Sequence, residues 1–290
     1  MIRTLVAGDE ALLDAFLSRH ADSSMFLRAN AHGLGLEDRG DPFQGVYVAA
    51  FAPDTGAVTG AAAHYRNGVL VLQAPDLADA EALARRAADA SGREVKGLAG
   101  PWGQIAAART ALGLDGCRAD VASREILFAL DLCDLRVPSA VADGGLAVRL
   151  PDGAAELDQM CAWRVAYAIE ALGRQPGPEL EADARADVLR ALSRGELYIL
   201  VGREGAPLAT TTLNANLPDI VQIGGVYTPQ ALRGRGYAQA VVARQLLDVQ
   251  RRGVRRAVLF TDRGNAAARR AYEALGFCEI GEYGLILLAR

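Results

Sequence analysis

Arginines and glycines alternate at positions 233–236, and this stretch has the residue types best suited to bind an anion. Residues 220–227 before it are rich in β-branched side chains and predict a strand. Residues 237–252 after it repeat apolar side chains at helical spacing. Gly234 and Gly236 let the backbone turn tightly, and the first N–H groups of the helix have no partner within it. The sequence therefore predicts a cradle for a phosphate or pyrophosphate.

Two common phosphate-binding loops do not fit this stretch. A Walker loop needs Gly-Lys followed by Ser or Thr, but the only lysine of the chain is Lys96. A dinucleotide fingerprint that begins at Gly234 needs glycine or alanine where Gln239 stands. The cradle must therefore belong to another class of phosphate site.

Arg233, Gly236 and Ala238 match a third pattern, the Arg/Gln-x-x-Gly-x-Gly/Ala loop of the GNAT superfamily, the acetyl-CoA-dependent N-acetyltransferases. After the strand predicted at 257–261 comes a second block, which resembles the last helix of that superfamily at Asn265, Ala268, Tyr272, Gly276 and Phe277. The two blocks stand in the expected order, and with the strand before them they cover residues 221–277.

The resemblance implies an α/β (α+β) fold with a mixed, mostly antiparallel sheet flanked by helices. It implies transfer of an acetyl group from acetyl-CoA, as co-substrate, to a primary amine of an unidentified acceptor. Small amines, peptide N-termini and protein lysines all remain open as acceptors. The cofactor contacts that the resemblance implies are Val226, Tyr227, Thr228, Arg233, Gly234, Arg235, Gly236, Tyr237, Ala238, Asn265 and Ala268.

Acetyl transfer from a thioester to an amine needs a stabilised oxyanion and a proton for the departing thiolate. A phenol with a pKa of about 10 can protonate a thiolate whose conjugate acid titrates near 8.5, so Tyr272 is the candidate general acid. A core tyrosine is the alternative. The family pattern implies that the N–H of Val226 stabilises the oxyanion. Asn265 is expected to cap its helix, to contact the cofactor, or to do both.

The general base is less well defined, because Gln222 in the strand before the cradle cannot accept a proton. Glu170 is the candidate, since its three-residue spacing from Tyr167 puts both on one helix face. A solvated surface role for Glu170, a base at Asn214 or Glu282, and deprotonation by bulk water remain alternatives. The glycine pair at 224–225 predicts a bulge or a close backbone approach, and in the resembled superfamily this strand splays so that the pantetheine arm lies beside it.

The elements predicted in the two halves follow the same order, which suggests two tandem GNAT-like domains. We expect a degenerate, catalytically silent domain at 1–137, a linker at 138–145 and a catalytic domain at 146–290. Aligning the ends of the last helices sets Trp102 opposite Asn265 and Arg109 opposite Tyr272, so the first half lacks both residues. An unrelated α/β domain is the alternative. Strands are also predicted at 94–98 and, as a closing pair, near Cys278 and Leu285.

Composition limits the other classes of function. The 290 residues carry a net charge of -4, which does not favour nucleic acid despite the arginine-rich helix. Acidic residues near the N-terminus and the lack of a run of about eighteen apolar residues predict a cytoplasmic protein without membrane contact. Neither cysteines nor histidines show zinc spacing, so no metal is expected. The cysteines are interpreted as small core residues, namely Cys117, Cys133, Cys161 and Cys278.

One alternative function is a non-catalytic module that binds acyl-CoA and reports it to a partner. Such a sensor needs only the phosphate cradle. The presence of both Tyr272 and Asn265 therefore favours an enzyme.

Overall fold

A computed structural model describes residues 1–142 and 145–289 of the chain. It divides into two compact units. The first unit contains residues 1–127 together with the residues from 281 onwards, and the second contains residues 128–280. Among the helices that these described ranges contain, none is both long and apolar enough to cross a bilayer.

Strands and helices alternate along the chain. The strands are β1 (Ile2–Thr4), β2 (Gly45–Phe51), β3 (Val58–Tyr65), β4 (Val69–Gln73), β5 (Gly97–Pro101), β6 (Ala119–Asp131), β7 (Ala147–Arg149), β8 (Leu197–Val201), β9 (Pro207–Asn216), β10 (Ile220–Tyr227), β11 (Arg256–Asp262) and β12 (Cys278–Leu288). The helices are α1 (Glu10–Leu17), α2 (Met25–Leu34), α3 (Leu77–Ser91), α4 (Trp102–Ala111), α5 (Ser139–Ala142), α6 (Gly153–Leu172), α7 (Pro178–Ser193), α8 (Tyr237–Arg251) and α9 (Ala266–Leu275).

The sheet of the first unit has the order β1-β2-β3-β4-β5-β12-β6. Strands β1 to β4 are antiparallel neighbours, whereas β4 and β5 are parallel and are connected through α3. The core between this sheet and the helices α3 and α4 is made of fully buried aliphatic side chains, which include Leu72, Leu83, Leu98 and Ile105.

The sheet of the second unit has the order β6-β11-β10-β9-β8-β7. Strands β7 to β10 are antiparallel neighbours, whereas β10 and β11 are parallel and are connected through α8. Met160 of α6 and Val188 of α7 pack on Ile199 of β8. The neighbouring Tyr198 donates instead to Asp248 of α8, at 3.3 Å. Because side chains alternate along a strand, α8 covers the face opposite to α6 and α7.

Both units therefore contain a mixed, mostly antiparallel sheet flanked by helices, which confirms the predicted fold class of two tandem GNAT-like domains. In each unit four antiparallel strands lead into a helix, a parallel strand and a further helix.

The compact units do not follow the predicted domain boundaries of 1–137 and 146–290. The predicted pair of closing strands is one strand, β12, and it pairs with β5 of the first unit from Tyr283↔Pro101 to Leu287↔Gly97. Residues 128–137 belong to the second unit, where the N–H of Leu132 donates to the carbonyl of Arg255 at 2.8 Å. The predicted linker contains α5, and its residues 143–144 lie outside the described chain.

Strand β5 begins three residues later than the predicted 94–98, because its pairing with both β4 and β12 starts at Gly97. The interpretation of the cysteines as core residues is wrong. Three are exposed and the fourth, Cys161, is half-buried. The exposed ones lie where elements end or begin, at the turn after α4, the turn after β6 and the first residue of β12, so the usual burial of cysteine does not apply to them.

Candidate active site

The parallel strands β10 and β11 separate along their length. Their pairing covers only the first three residues of β10, from Ile220↔Arg256 to Gln222↔Val258. Strand β10 nevertheless continues to Tyr227 and β11 to Asp262. The facing edges of the two strands are therefore left open over their carboxyl-terminal halves.

The glycine pair of β10 lies in an irregular part of its pairing with β9. The register shifts between Gln222 and Ile223 and again between Gly224 and Tyr227. Gly225 has a φ of 56°, a left-handed conformation that favours glycine. A Cβ on Gly224 would lie 2.0 Å from the side chain of Asn214. The predicted bulge is therefore present, and it leaves Val226 outside the regular ladder with β9.

The predicted anion cradle lies between the end of β10 and the start of α8. Gly234 and Gly236 have φ angles of 77° and 78°, and no atom lies within 4 Å of a Cβ built on either. Gly236 is the N-cap residue and supplies no side-chain cap. Among the described residues, the N–H groups of 234–239 have no backbone acceptor, and Ala240 is the first residue to donate, to the carbonyl of Gly236. These N–H groups remain available to an anion.

Thr228 follows β10 directly, and its side chain has an unusual environment. Its Oγ1 is buried and, within the part of the chain that the structure describes, has no hydrogen-bond partner. An unpaired buried hydroxyl is costly unless a ligand or water satisfies it. This hydroxyl is therefore available to hydrogen-bond a ligand that lies at the end of β10.

Arg233 does not point towards the free N–H groups. Its Nε donates to the carbonyl of Thr228 at 2.9 Å, and a terminal nitrogen donates to Oε2 of Glu170 at 2.5 Å. The guanidinium carbon lies 5.7 Å from the ring centroid of Tyr227. Arg235 makes a longer contact, at 3.5 Å, to the carbonyl of Ala231.

Glu170 of α6 binds two residues that are far away in the sequence. Its Oε2 accepts from Arg233, and its Oε1 accepts from the hydroxyl of Tyr227 at 3.0 Å. The hydrogen bond from Arg233, with a further one from Tyr227, lowers the pKa of the Glu170 carboxyl, although burial opposes this. Burial, and then the hydrogen bond to Glu170, raises the pKa of Tyr227. Because a lowered pKa makes a carboxylate a weaker base, Glu170 could act as a base only after releasing these contacts.

Trp163 is a site residue that the sequence did not single out. Its ring centroid lies 6.1 Å from that of Tyr227. Both Trp163 and Glu170 belong to α6, so one helix brings an aromatic ring and a carboxylate to the end of β10. A spacing of seven residues puts both side chains on one helix face, which is the sequence signal that could have found Trp163.

Helix α9 carries the second block of predicted residues. The side chain of Asn265 accepts from the N–H of Ala268 at 3.1 Å, which confirms its expected role as N-cap. Tyr272 is buried, with 8% of its surface exposed, and its ring packs edge-on against Phe277 at 6.0 Å between centroids. These contacts fix the position of the tyrosine, and its role as an acid stays a prediction.

The features described here fit acetyl-CoA as a co-substrate. Free N–H donors precede α8, an unpaired hydroxyl lies at Thr228, and β10 has an open edge beside β11. Tyr237 and Ala238 form the first turn of α8. Among the described residues, no group of three or more histidine, cysteine, aspartate or glutamate side chains is arranged to hold a metal ion.

Solved structures with a similar fold cover nearly the whole chain. A Drosophila protein aligns over 99% of this chain and 98% of its own, with a TM-score of 0.67 and 11% identity. A GCN5-related N-acetyltransferase from Sphaerobacter thermophilus aligns over 99% and 94%, with a TM-score of 0.56 and 18% identity. A tandem GNAT protein from the clavulanic acid biosynthesis pathway aligns over 100% and 98%, with a TM-score of 0.50 and 15% identity. At these identities the likeness concerns the fold.

None of the curated proteins matches the sequence. The model of the acetyltransferase (GNAT) family matches residues 157–277, which run from α6 through the phosphate cradle to the end of the second block. Residues 157–277, which lie within the second unit, therefore form a domain of the acetyltransferase (GNAT) family.

Proposed function

We propose that this protein is an N-acetyltransferase that transfers the acetyl group of acetyl-CoA to a primary amine of an acceptor. One observation carries the proposal. The open edge of β10 ends at the loop whose free N–H groups precede α8, so an extended ligand with an anionic end finds both partners in one place. The pyrophosphate at the end of the pantetheine arm of CoA is such a group, because helix N-termini bind phosphates.

In this proposal the backbone holds most of the co-substrate. The N–H groups of residues 234–239 bind the pyrophosphate, and the free edge of β10 near Val226 pairs with the amide groups of the pantetheine arm. The unpaired hydroxyl of Thr228 is a further contact for the arm. Asn265 and Ala268 at the start of α9 are proposed to contact the same arm.

The proposed reaction replaces the carbon–sulfur bond of the thioester by a carbon–nitrogen bond and moves a proton from the amine side to the thiol. The neutral amine nitrogen attacks the carbonyl carbon of the thioester, and the N–H of Val226 stabilises the oxyanion. The carbon–sulfur bond then breaks and the phenol of Tyr272 gives its proton to the thiolate. The amine nitrogen releases its proton to solvent, and the phenolate of Tyr272 regains one from solvent. The carboxylate of Glu170 takes no part in proton transfer while it is bound to Arg233 and Tyr227.

We infer that the first unit has no site for acetyl-CoA. The helix bounds align one residue differently from the sequence, because Pro101 precedes α4 where Asn265 caps α9, and Ala108 is the seventh residue of α4 where Tyr272 is that of α9. The side chain of Arg109 donates to the carbonyls of Leu114 and Cys117, at 3.1 Å each, and so serves the turn after α4.

The test has a binding step and a transfer step. Thermal unfolding is measured with acetyl-CoA, CoA and NADH. A ligand at a hundredfold excess over its Kd stabilises the folded state by about 2.7 kcal/mol, or several degrees. The first two should stabilise the protein and NADH should not. Release of CoA thiol is then followed with a panel of primary amines. Binding without transfer to any amine would replace the enzyme by an acyl-CoA sensor, and no binding would end both proposals.

A further inference from the structure

The side chain of Arg233 occupies a site that has the properties of a cation receptor. A carboxylate, a backbone carbonyl and an aromatic ring surround the guanidinium, from Glu170, Thr228 and Tyr227. Carboxylates and carbonyls accept N–H donors, and aromatic faces attract cations. A free alkylguanidinium or alkylammonium ion would find the same partners.

This receptor is held in shape independently of Arg233. The hydroxyl of Tyr227 donates to Oε1 of Glu170 and leaves Oε2 for the cation. The ring of Trp163 packs at 6.1 Å from that of Tyr227, which is itself buried. The carboxylate and the ring are therefore positioned by α6 and β10, not by the loop that carries the arginine.

The side chain of Arg233 is held weakly at this site, so another cation can displace it. Its side chain is 46% exposed and that of Glu170 is 31% exposed, and ion pairs of this exposure are weak. The arginine precedes Gly234, and no atom lies within 4 Å of a Cβ built on that glycine, so the space beside the arginine is open. It also lies next to the N–H groups proposed to bind the pyrophosphate, where a phosphate offers an alternative partner.

We propose that Glu170, Tyr227 and the carbonyl of Thr228 form a subsite for a cationic group of the acceptor, which Arg233 fills when no acceptor is bound. The acceptor is then a molecule with two basic groups, a neutral amine that is acetylated and an ammonium or guanidinium that is recognised. This inference rests on the proposed function, because it assigns the substrate class of the same site.

The first experiment measures binding without turnover. Butylguanidine, which carries only the recognised cation, is titrated calorimetrically into the full-length protein without CoA. Removing the internal occupant in Arg233→Ala should strengthen binding at least tenfold over the wild type. Adding Glu170→Gln to Arg233→Ala should remove that gain. Glu204→Gln, an exposed glutamate of the turn between β8 and β9, serves as the matched control in the same background. Equal affinities for butylguanidine in the wild type, in Arg233→Ala and in the double variant with Glu170→Gln would overturn the subsite.

The second experiment measures transfer. The wild type should acetylate 4-aminobutylguanidine with a kcat/KM at least tenfold above that for n-butylamine. In Glu170→Gln the difference should vanish through KM for the guanidine compound, with an unchanged KM for acetyl-CoA. An equal fall in kcat for both amines would identify Glu170 as the base and refute the subsite. Absence of transfer to any amine, with the binding result intact, would refute the acetyltransferase proposal and retain the cation site.

Discussion

The N-terminus of α3 in the first unit is closed by the chain itself, whereas that of α8 in the second unit is open. The carboxylate of Asp76 accepts from the N–H groups of Ala78 and Asp79, at 2.8 and 3.4 Å. The corresponding cap of α8 is Gly236, which has no side chain to offer. A carboxylate satisfies the helix end and repels a phosphate, so the residue at this one position decides whether the N-terminus of the helix is open to an anion.

The residues that follow β4 in the first unit and β10 in the second unit differ in the same way as the helix N-termini. In the first unit the N–H of Ala74, just after β4, donates to Oε1 of Gln104 at 2.7 Å in a buried position. Strand β5 stays close to β4 there, since a Cβ on Gly100 would lie 2.7 Å from the carbonyl of Leu72. In the second unit the corresponding region leaves Thr228 Oγ1 unpaired. In the first unit, a side chain of the same unit thus satisfies the polar group that follows the strand, whereas in the second unit the polar group at the corresponding place has no partner among the described residues.

The largest expected effect concerns Tyr272, which has no counterpart in the first unit. Tyr272→Phe should lower kcat by about 10²- to 10⁴-fold, the usual contribution of a general acid, while the Kd for acetyl-CoA stays unchanged. Release of CoA thiol and a thermal shift measure the two quantities. Tyr198→Phe is the matched control, because Tyr198 is equally buried in the same unit. Equal kcat in the two variants would remove the acid role.

A second change gives α8 the cap of α3. Gly236→Asp should weaken acetyl-CoA binding by about 3 kcal/mol, or roughly a hundredfold, because the carboxylate takes N–H donors and repels the pyrophosphate. Titration of acetyl-CoA measures the change. Gly253→Asp is the control, since Gly253 also has a positive φ and an open surrounding but follows the other end of α8. Similar losses in both variants would point to backbone strain as the cause.

A third change removes a buried hydrogen bond of the first unit. Gln104→Met keeps the volume of the side chain but leaves the buried N–H of Ala74 without its acceptor. We expect a loss of roughly 1 to 3 kcal/mol in the free energy of unfolding, measured by denaturant titration. The Kd for acetyl-CoA should not change. A weaker Kd would show that the first unit contributes to the site.

The smallest expected effect is a pH dependence of the free energy of unfolding. It concerns the first unit, which contains all three histidines. Burial lowers the pKa of His64 below its ordinary 6.5, with Nδ1 at 2.7 Å from the hydroxyl of Ser91. The unfolded chain therefore binds the proton more readily. The free energy of unfolding should fall as the pH drops below about 6.5, by at most about 1.4 kcal/mol per pH unit, and should not change through His64 above it.

Denaturant midpoints at pH 7.5 and 5.5 measure this dependence. His64→Gln should reduce the difference between the two midpoints, and His32→Gln, at an exposed position, should leave it unchanged. An undiminished difference in His64→Gln would assign the acid sensitivity to other groups, among them His20, whose pKa burial also lowers.

Local sequence patterns predicted most of the elements and the loop of the site. The β-branched run of β10, the alternation of Gly234 and Gly236 with arginines, and the N-cap Asn265 each act within a few residues, so the local sequence is sufficient to predict them. The missed features depend on distant partners. Nothing near Glu170 indicates that Arg233 lies within 2.5 Å, and nothing in β12 indicates that β5 is its neighbour.

The pairing of β12 with β5 also has a consequence for folding during translation. Strand β5 pairs with residues 283–287, so it stays without that neighbour until those residues have left the ribosome. At about 5–20 residues per second, the wait is roughly 10 to 40 s. Throughout that time the edge of β5 is open to pairing with other chains. Nascent copies on one messenger would then compete with β12 for the edge of β5, and this competition would last longer than it would for a neighbour close in sequence.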